Sequence, residues 1–425
     1  MLHLDSSACH AKVLSPSLGI TNQELSSVRA SLKRHATDWL EERRGGMHRW
    51  SMDPYDRTVL ARTREVAKSA MARGFSTILW LGIGGSALGP RVLQESFAEP
   101  DTPDCIVLDT IDPGVLAFYM ATLDWRRTLV VAVSKSGNTL ETMSALFLFW
   151  EKLRTARKLR ANEAVIAVTD PEEGPLRTWA QQQGVALLPI HRDTGGRFSV
   201  FTPVGTLLLE LIGRDAGAFL RGAKDMDTQC QNTSLEENPA AQLAATQFLL
   251  DTKRGCPVRV IMPYGDRLAS VARWNQQLVA ESLGKTEVHN PIPLAAQGTQ
   301  DQHSLLQQWM AGPRKSWHLF VKVEEKPRVY VPDDLPEPFS HLAGKTFGQL
   351  LDACQDGTSR ALTSVRRPHA TITLTRLDEQ HLGQLFFCFM AEVALLGKLY
   401  RIDPYGQPAV EVGKRITRDI LSRGK

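Results

Sequence analysis

From residue 77 onward the chain repeats one arrangement: a short run of β-branched and aliphatic residues, then a longer stretch with helical spacing. The runs fall at 77–81, 105–108, 129–133, 165–169 and 185–190. Strands separated by helix-length connections pair in parallel through crossovers, and the crossover helices cover both faces of the sheet. After a polar stretch at 225–238, which reads as a boundary, a second round follows. Its strands are expected at 258–262, 317–323 and 371–374, with helices near 268–283, 344–353 and 378–399. The class expected is therefore α/β: two three-layer α/β/α domains with parallel sheets at 56–235 and 236–400. A helical N-terminal preamble at 1–55, with its helix at 22–42, and a C-terminal tail at 401–425 complete the chain.

Composition removes several classes of function. With 43% hydrophobic and 23% charged residues, the 425-residue chain is neither disordered nor a coiled coil. A net charge of +4 creates no field able to hold a nucleic-acid backbone or an anionic membrane. The 6 cysteines lack any Cys-x-x-Cys spacing, so neither a zinc cluster nor a disulfide framework is expected. The N-terminal residues lack the basic and apolar regions of a signal peptide, and no apolar run approaches the ~18 residues of a membrane span. A cytoplasmic protein without membrane or nucleic-acid partners is expected.

Chemistry concentrates in the loops that follow strands. The first strand runs into Gly82-Ile83-Gly84-Gly85-Ser86-Ala87-Leu88-Gly89-Pro90. Glycines there let backbone amides approach a ligand, and an anion at the following helix start would meet unpaired N–H groups and the positive end of the dipole. Two other readings compete. The glycines could serve only a tight turn, or Gly82, Gly84 and Ala87 with Asp109 could form a dinucleotide fingerprint. The third strand ends in Ser134-Lys135-Ser136-Gly137-Asn138-Thr139, a second hydroxyl-rich loop entering a helix. Two such loops on successive strand ends favour a compact phosphate, though hydroxyls there also cap helices. Farther on, Arg197 sits on a glycine pair (Gly195-Gly196), and Gln277 and Glu281 share one helical face at i, i+4.

These motifs, followed by Asp301-Gln302-His303-Ser304 and Gln407-Pro408-Ala409-Val410-Glu411-Val412-Gly413-Lys414, occur in the order found in glucose-6-phosphate isomerases. The chain resembles the bacterial form of that family from about residue 80 to residue 414. The resemblance implies two sugar-isomerase-type domains, a homodimer with active sites at the subunit interface, a sugar-phosphate substrate, and neither metal nor cofactor. It implies that Ser86, Ser134, Lys135, Ser136 and Thr139 bind the substrate's phosphate, that Gly84 and Gly85 also bind substrate, and that Gln277 and Gln407 bond near the sugar. Glu281 would shuttle a proton between C1 and C2 while Arg197 stabilises the enediolate. His303, donated by the partner chain and oriented by Glu141, would open the sugar ring with Lys414. Asn138 departs from the threonine expected in the family.

The residue types suit that chemistry. A proton beside a carbonyl is weakly acidic, so a positioned base is needed, and such a base contributes ~100- to 10,000-fold. Charge then builds on the former carbonyl oxygen, where one preorganised donor is worth ~2.7–4 kcal/mol. Arginine supplies that donor without competing for the proton. Histidine, with an ordinary pKa near ~6.5, suits ring opening at neutral pH.

Overall fold

The structure, a computed structural model, describes residues 2–423. Its first sheet contains β2 (Thr77–Leu81), β3 (Asp104–Leu108), β4 (Thr128–Val133), β5 (Val165–Thr169) and β6 (Ala186–Pro189), all parallel, in the order β3-β2-β4-β5-β6. Every residue of β4 and β5 is buried. Strands covered on both faces need apolar side chains at each position, which is why these segments read as unbroken runs.

The second sheet has the order β1-β10-β9-β7-β8, from β1 (His3–Asp5), β7 (Val258–Pro263), β8 (Ile292–Ala295), β9 (Ser316–Val323) and β10 (His369–Leu374). The expectation of a wholly parallel sheet is corrected at its edge, where β1 pairs antiparallel with β10. The preamble read as helical thus also contributes a strand to the second sheet. A three-residue edge strand carries too little pattern to declare itself, and its register comes from its partner.

The helices that carry the argument are α1 (Asn22–Arg44), α2 (Gly85–Phe97), α3 (Leu140–Arg157), α4 (Ala216–Cys230), α5 (Ala269–Leu283), α6 (Glu379–Tyr400) and α7 (Pro408–Arg423). α1 begins on a capping box in which Thr21 accepts from the Glu24 amide and Glu24 reaches back to the Thr21 amide. The polar stretch beginning at Asp225 is not loop at its start. α4 runs through Cys230, and Asp227 within it is fully buried, accepting from Trp39 Nε1 at 3.2 Å, Arg43 Nη1 at 2.9 Å and the Tyr55 hydroxyl at 2.7 Å. Polarity there marks an anchor for α1 instead of exposure. A second correction concerns α6, which is apolar over a length that could cross a membrane. Its residues from His381 to Gly397 are buried, and it packs along α4, α5 and the helix Pro239–Arg254 as a core element.

A smaller core on the second sheet (Val260, Met262, Tyr264, Trp309, Phe320, Leu362) encloses His318, whose two ring nitrogens have no hydrogen-bond partner among the described residues, beside His369. Burial pushes His318 down to about 3 and His369 down to about 4. Both therefore stay neutral while an unfolded chain would take up protons below ~6.5. Their contribution is complete above that value and is lost as pH falls from ~6.5 toward about 4 for His369 and about 3 for His318. His318 alone should account for about 2 kcal/mol at pH 5, so the urea midpoint should drop between pH 7.5 and pH 5. His318→Phe should flatten that slope, and an unchanged slope would remove His318 from the account.

Candidate active site

Counted within the first sheet, the strand order is 2-1-3-4-5, and it reverses between β2 and β4. Helices leave those two strands toward opposite faces, so a crevice opens outside their carboxyl ends, where ligands of such sheets bind. Both loops singled out in the sequence lie there. The first passes directly into α2, whose N-cap, Gly84, offers no side-chain bond to the first-turn amides.

The glycines of this loop are required by what they touch. Gly84 is left-handed (φ +56°), and a Cβ on it would lie 2.8 Å from Gln277 Nε2. A Cβ on Gly85 would lie 2.1 Å from the Gly196 oxygen and 2.6 Å from the Arg197 nitrogen. Direct backbone packing of the first loop on Gly196 is therefore what brings Arg197 to the crevice. Farther along α2, Pro90 cannot supply the amide that the Ser86 carbonyl would accept. Trp80 Nε1, from β2, donates to that carbonyl at 2.9 Å instead. The Ser86 residue is half-buried at the helix start.

In the second loop, the hydroxyls of Ser134 and Thr139 are 2.8 Å apart, and the Ser136 hydroxyl donates to Asn138 Oδ1 at 2.7 Å. Asn138 thus orients Ser136. Thr139 is the N-cap of α3 but makes no capping bond with its side chain. Lys135 Nζ donates to the Thr194 carbonyl at 3.0 Å, and burial pulls its pKa below the usual lysine value against the attraction of Asp193 and Asp170. The Thr194 hydroxyl in turn donates to Asp53 at 2.8 Å, whose carboxyl burial pushes up to about 7. Both loops are therefore tied to the strip 194–197.

Arg197 itself is 3% exposed and uses its whole fork. Nε donates to Ser282 Oγ at 2.6 Å, Nη1 to Gln407 Oε1 at 2.7 Å, and Nη2 to the carbonyls of Pro404 and Tyr405 at 2.5 and 3.0 Å. Nη1 also lies 3.1 Å from Glu281 Oε1. Burial lowers the guanidinium pKa, and the Glu281 charge opposes that shift. Gln277 Nε2, one turn earlier on α5, donates to Glu281 Oε2 at 2.9 Å. The Gln277 Oε1 atom is buried without a partner among the described residues, an acceptor suited to a ligand hydroxyl.

The structure thus brings together Gly84, Gly85, Arg197, Gln277, Glu281 and Gln407, with the second loop joined through Lys135. Glu141 is half-buried in the first turn of α3. Two expected residues are not brought in. His303 is exposed on the short helix Gln300–Ser304, and Lys414 is exposed on α7, paired with Glu411 at 2.8 Å. Sequence reasoning missed Ser282, Thr194, Asp53 and the carbonyls of Pro404 and Tyr405. Ser282 stands beside Glu281 in the same motif and could have been named; backbone carbonyls leave no signal.

A carboxylate held beside a guanidinium, near two glycine- and hydroxyl-rich loops, can take a proton from a carbon whose neighbouring oxygen the guanidinium stabilises.

The phosphoglucose isomerase family model matches residues 61–425. The glucose-6-phosphate isomerase of Rubrobacter xylanophilus is 37% identical over 418 residues, covering 95% of each chain. One from Thermus thermophilus is 36% identical over 388 residues, covering 89% of this chain and 91% of its own. Among solved structures, a hypothetical protein from Thermus thermophilus superposes with a TM-score of 0.89 at 34% identity, covering 99% of this chain and 100% of that one. The glucose-6-phosphate isomerase of Chlamydia trachomatis gives a TM-score of 0.76 at 25% identity, covering 86% of this chain and 73% of that one.

Proposed function

The chain belongs to the phosphoglucose isomerase family, and on that premise we propose that it interconverts glucose 6-phosphate and fructose 6-phosphate by proton transfer through an enediolate. The observation that carries the reading is the Glu281 carboxylate 3.1 Å from the Arg197 guanidinium, beside two anion loops. The loops, on residues 56–235, hold the phosphate through Ser86, Ser134, Lys135, Ser136 and Thr139. Residues 236–400 supply Glu281 and Gln277. Glu281 takes the C2 proton of the open-chain aldose, the electron pair moves onto the C1 oxygen as the enediolate forms, and Arg197 stabilises the charge. The hydroxyl proton passes from O2 to O1, and as Glu281 returns its proton to C1 the charge on O2 collapses into the C2 carbonyl of the ketose. The substrate is oxidised at one carbon and reduced at the next, so no outside electron acceptor enters. The cellular place of the reaction is glycolysis and gluconeogenesis in the cytoplasm.

The test is a coupled assay of fructose 6-phosphate conversion, run with and without a chelator. We expect turnover that the chelator leaves unchanged; no turnover would end the reading.

Ring opening is assigned to His303 of the partner chain, oriented by Glu141, together with Lys414, in a homodimer. Exposure of His303 and Lys414 within one chain supports this. So do the uncovered apolar residues Ile111, Val115, Phe118, Leu140 and Phe147 on the first unit, and Val412, Ile416 and Ile420 on α7. An isologous dimer lets each chain give its histidine to the other's site. Mixing inactive Glu281→Gln and His303→Ala chains should restore activity to roughly a quarter of the wild-type level per chain, since random pairing makes about half the dimers hybrids with one intact site of two. Hybrids seen by mass yet inactive would place His303 in its own chain's site or in none.

A further inference from the structure

Arg197 is seated by the segment 403–407, and that segment must itself be held. It follows the end of α6, where Arg401 turns left-handed (φ 59°), and precedes α7, which is exposed along its length. Its entry is fixed by the Ile402 amide, which donates to the Gly397 carbonyl at 2.8 Å, and by Lys285 Nζ, which donates to the Asp403 carbonyl. Beyond that point the Tyr405 side chain holds it, packing against Phe198 and His48 at ring-centroid distances of 5.4 and 5.7 Å. Its hydroxyl accepts from Trp50 Nε1 at 3.3 Å and is hydrogen-bonded to His48 Nδ1. His48 Nε2 lies 2.8 Å from Glu42 Oε2, and Glu42 also pairs with Lys398.

The direction of this chain follows from its ends. A carboxylate only accepts, so the histidine carries a hydrogen on Nε2; burial holds the His48 pKa below its ordinary value, and in the neutral ring Nδ1 accepts from the tyrosine hydroxyl. Every polar atom in the chain is then satisfied by a neutral imidazole. His48 is 3% exposed, stacked on Trp39 at 4.4 Å, and held in the left-handed region (φ 58°) that few residues other than glycine occupy. Such a conformation persists where the surroundings over-determine it.

We infer that His48 and Tyr405 are positioning residues. They clamp the segment 403–407, so that its carbonyls and Gln407 keep the Arg197 guanidinium aimed at the developing enediolate opposite Glu281. The inference rests on the isomerase reading for its catalytic half. Through it the N-terminal segment, which carries none of the residues that meet substrate, becomes part of the machinery.

Tyr405→Phe keeps the ring and removes only the hydroxyl; His48→Gln is the companion if that variant fails to fold. We expect kcat to fall about tenfold with KM within twofold, because Arg197 acts on charge that exists only in the transition state. Amide exchange at 403–407 should quicken at least tenfold. In an Arg197→Lys background, Tyr405→Phe should cost less than a further twofold, since residues acting as a unit are non-additive. Unchanged exchange overturns the clamp. Faster exchange with unchanged kcat, or losses that multiply in the double variant, overturn its link to Arg197. Wild-type chains that fail to convert fructose 6-phosphate defeat the isomerase reading alone, and the exchange measurement then decides the clamp by itself.

Discussion

Replacing Glu281 with Gln is expected to lower turnover by at least about a hundredfold while KM for fructose 6-phosphate stays near the wild-type value. The side chain has the same shape, so the crevice and the two loops that border it are undisturbed. Its two oxygens, however, have different duties: Oε1 faces Arg197 Nη1 at 3.1 Å and Oε2 accepts from Gln277 Nε2 at 2.9 Å. An amide can present an oxygen to only one of them and cannot take a proton in either orientation. Progress curves at saturating substrate check the claim. Turnover within tenfold of wild type would mean that another group is the base.

Asp227→Ala is expected to cost about 3–5 kcal/mol of stability, the usual result of removing one partner of a buried ion pair. The Arg43 and Asp227 side chains are 6% and 0% exposed, and Trp39 and Tyr55 also lose their acceptor. Glu236→Ala is the matched control, because its pair with Arg29 also ties α1 to the region beyond α4 but leaves both side chains 42% or more exposed. That pair should contribute no more than about 1 kcal/mol. Urea midpoints of the two variants measure the difference. Equal losses would mean that burial does not govern these anchors.

Segments whose pattern is local were legible in the sequence. The buried strands β2, β4, β5 and β9 announce themselves because both faces demand apolar side chains, and α1 because Leu25, Val28, Leu32 and Trp39 fall near helical spacing. β8 escaped notice: it is an edge strand, alternately exposed, with Pro293 in a run of only four residues. The two loops at the crevice were visible as glycine and hydroxyl clusters after strands. That Arg197 would meet Glu281 was not visible in composition or spacing, since the meeting depends on Gly85 lying against Gly196. The family resemblance named both residues; the packing supplies the reason they meet. Asp225 to Cys230 misled because a buried carboxylate and a solvated one look alike until their partners are known.

The antiparallel edge of the second sheet bears on how the chain is made. β1 pairs with β10, Leu2 donates to Gln384, and 360 residues separate Cys9 from the His369 carbonyl it contacts. A ribosome adding ~5–20 residues per second takes roughly 20–70 s to cover that interval. The strands of the first sheet, drawn from Thr77–Pro189, are all made before any strand of the second sheet except β1. The nascent segment ahead of them must wait, strand edge unpaired, until almost all of the chain has emerged. A fragment beginning after the first sheet would meet the converse problem, with β10 left as an open edge that another chain could pair with. The two units are successive in sequence, yet the second sheet reaches its full width only when the earliest-made and latest-made strands meet.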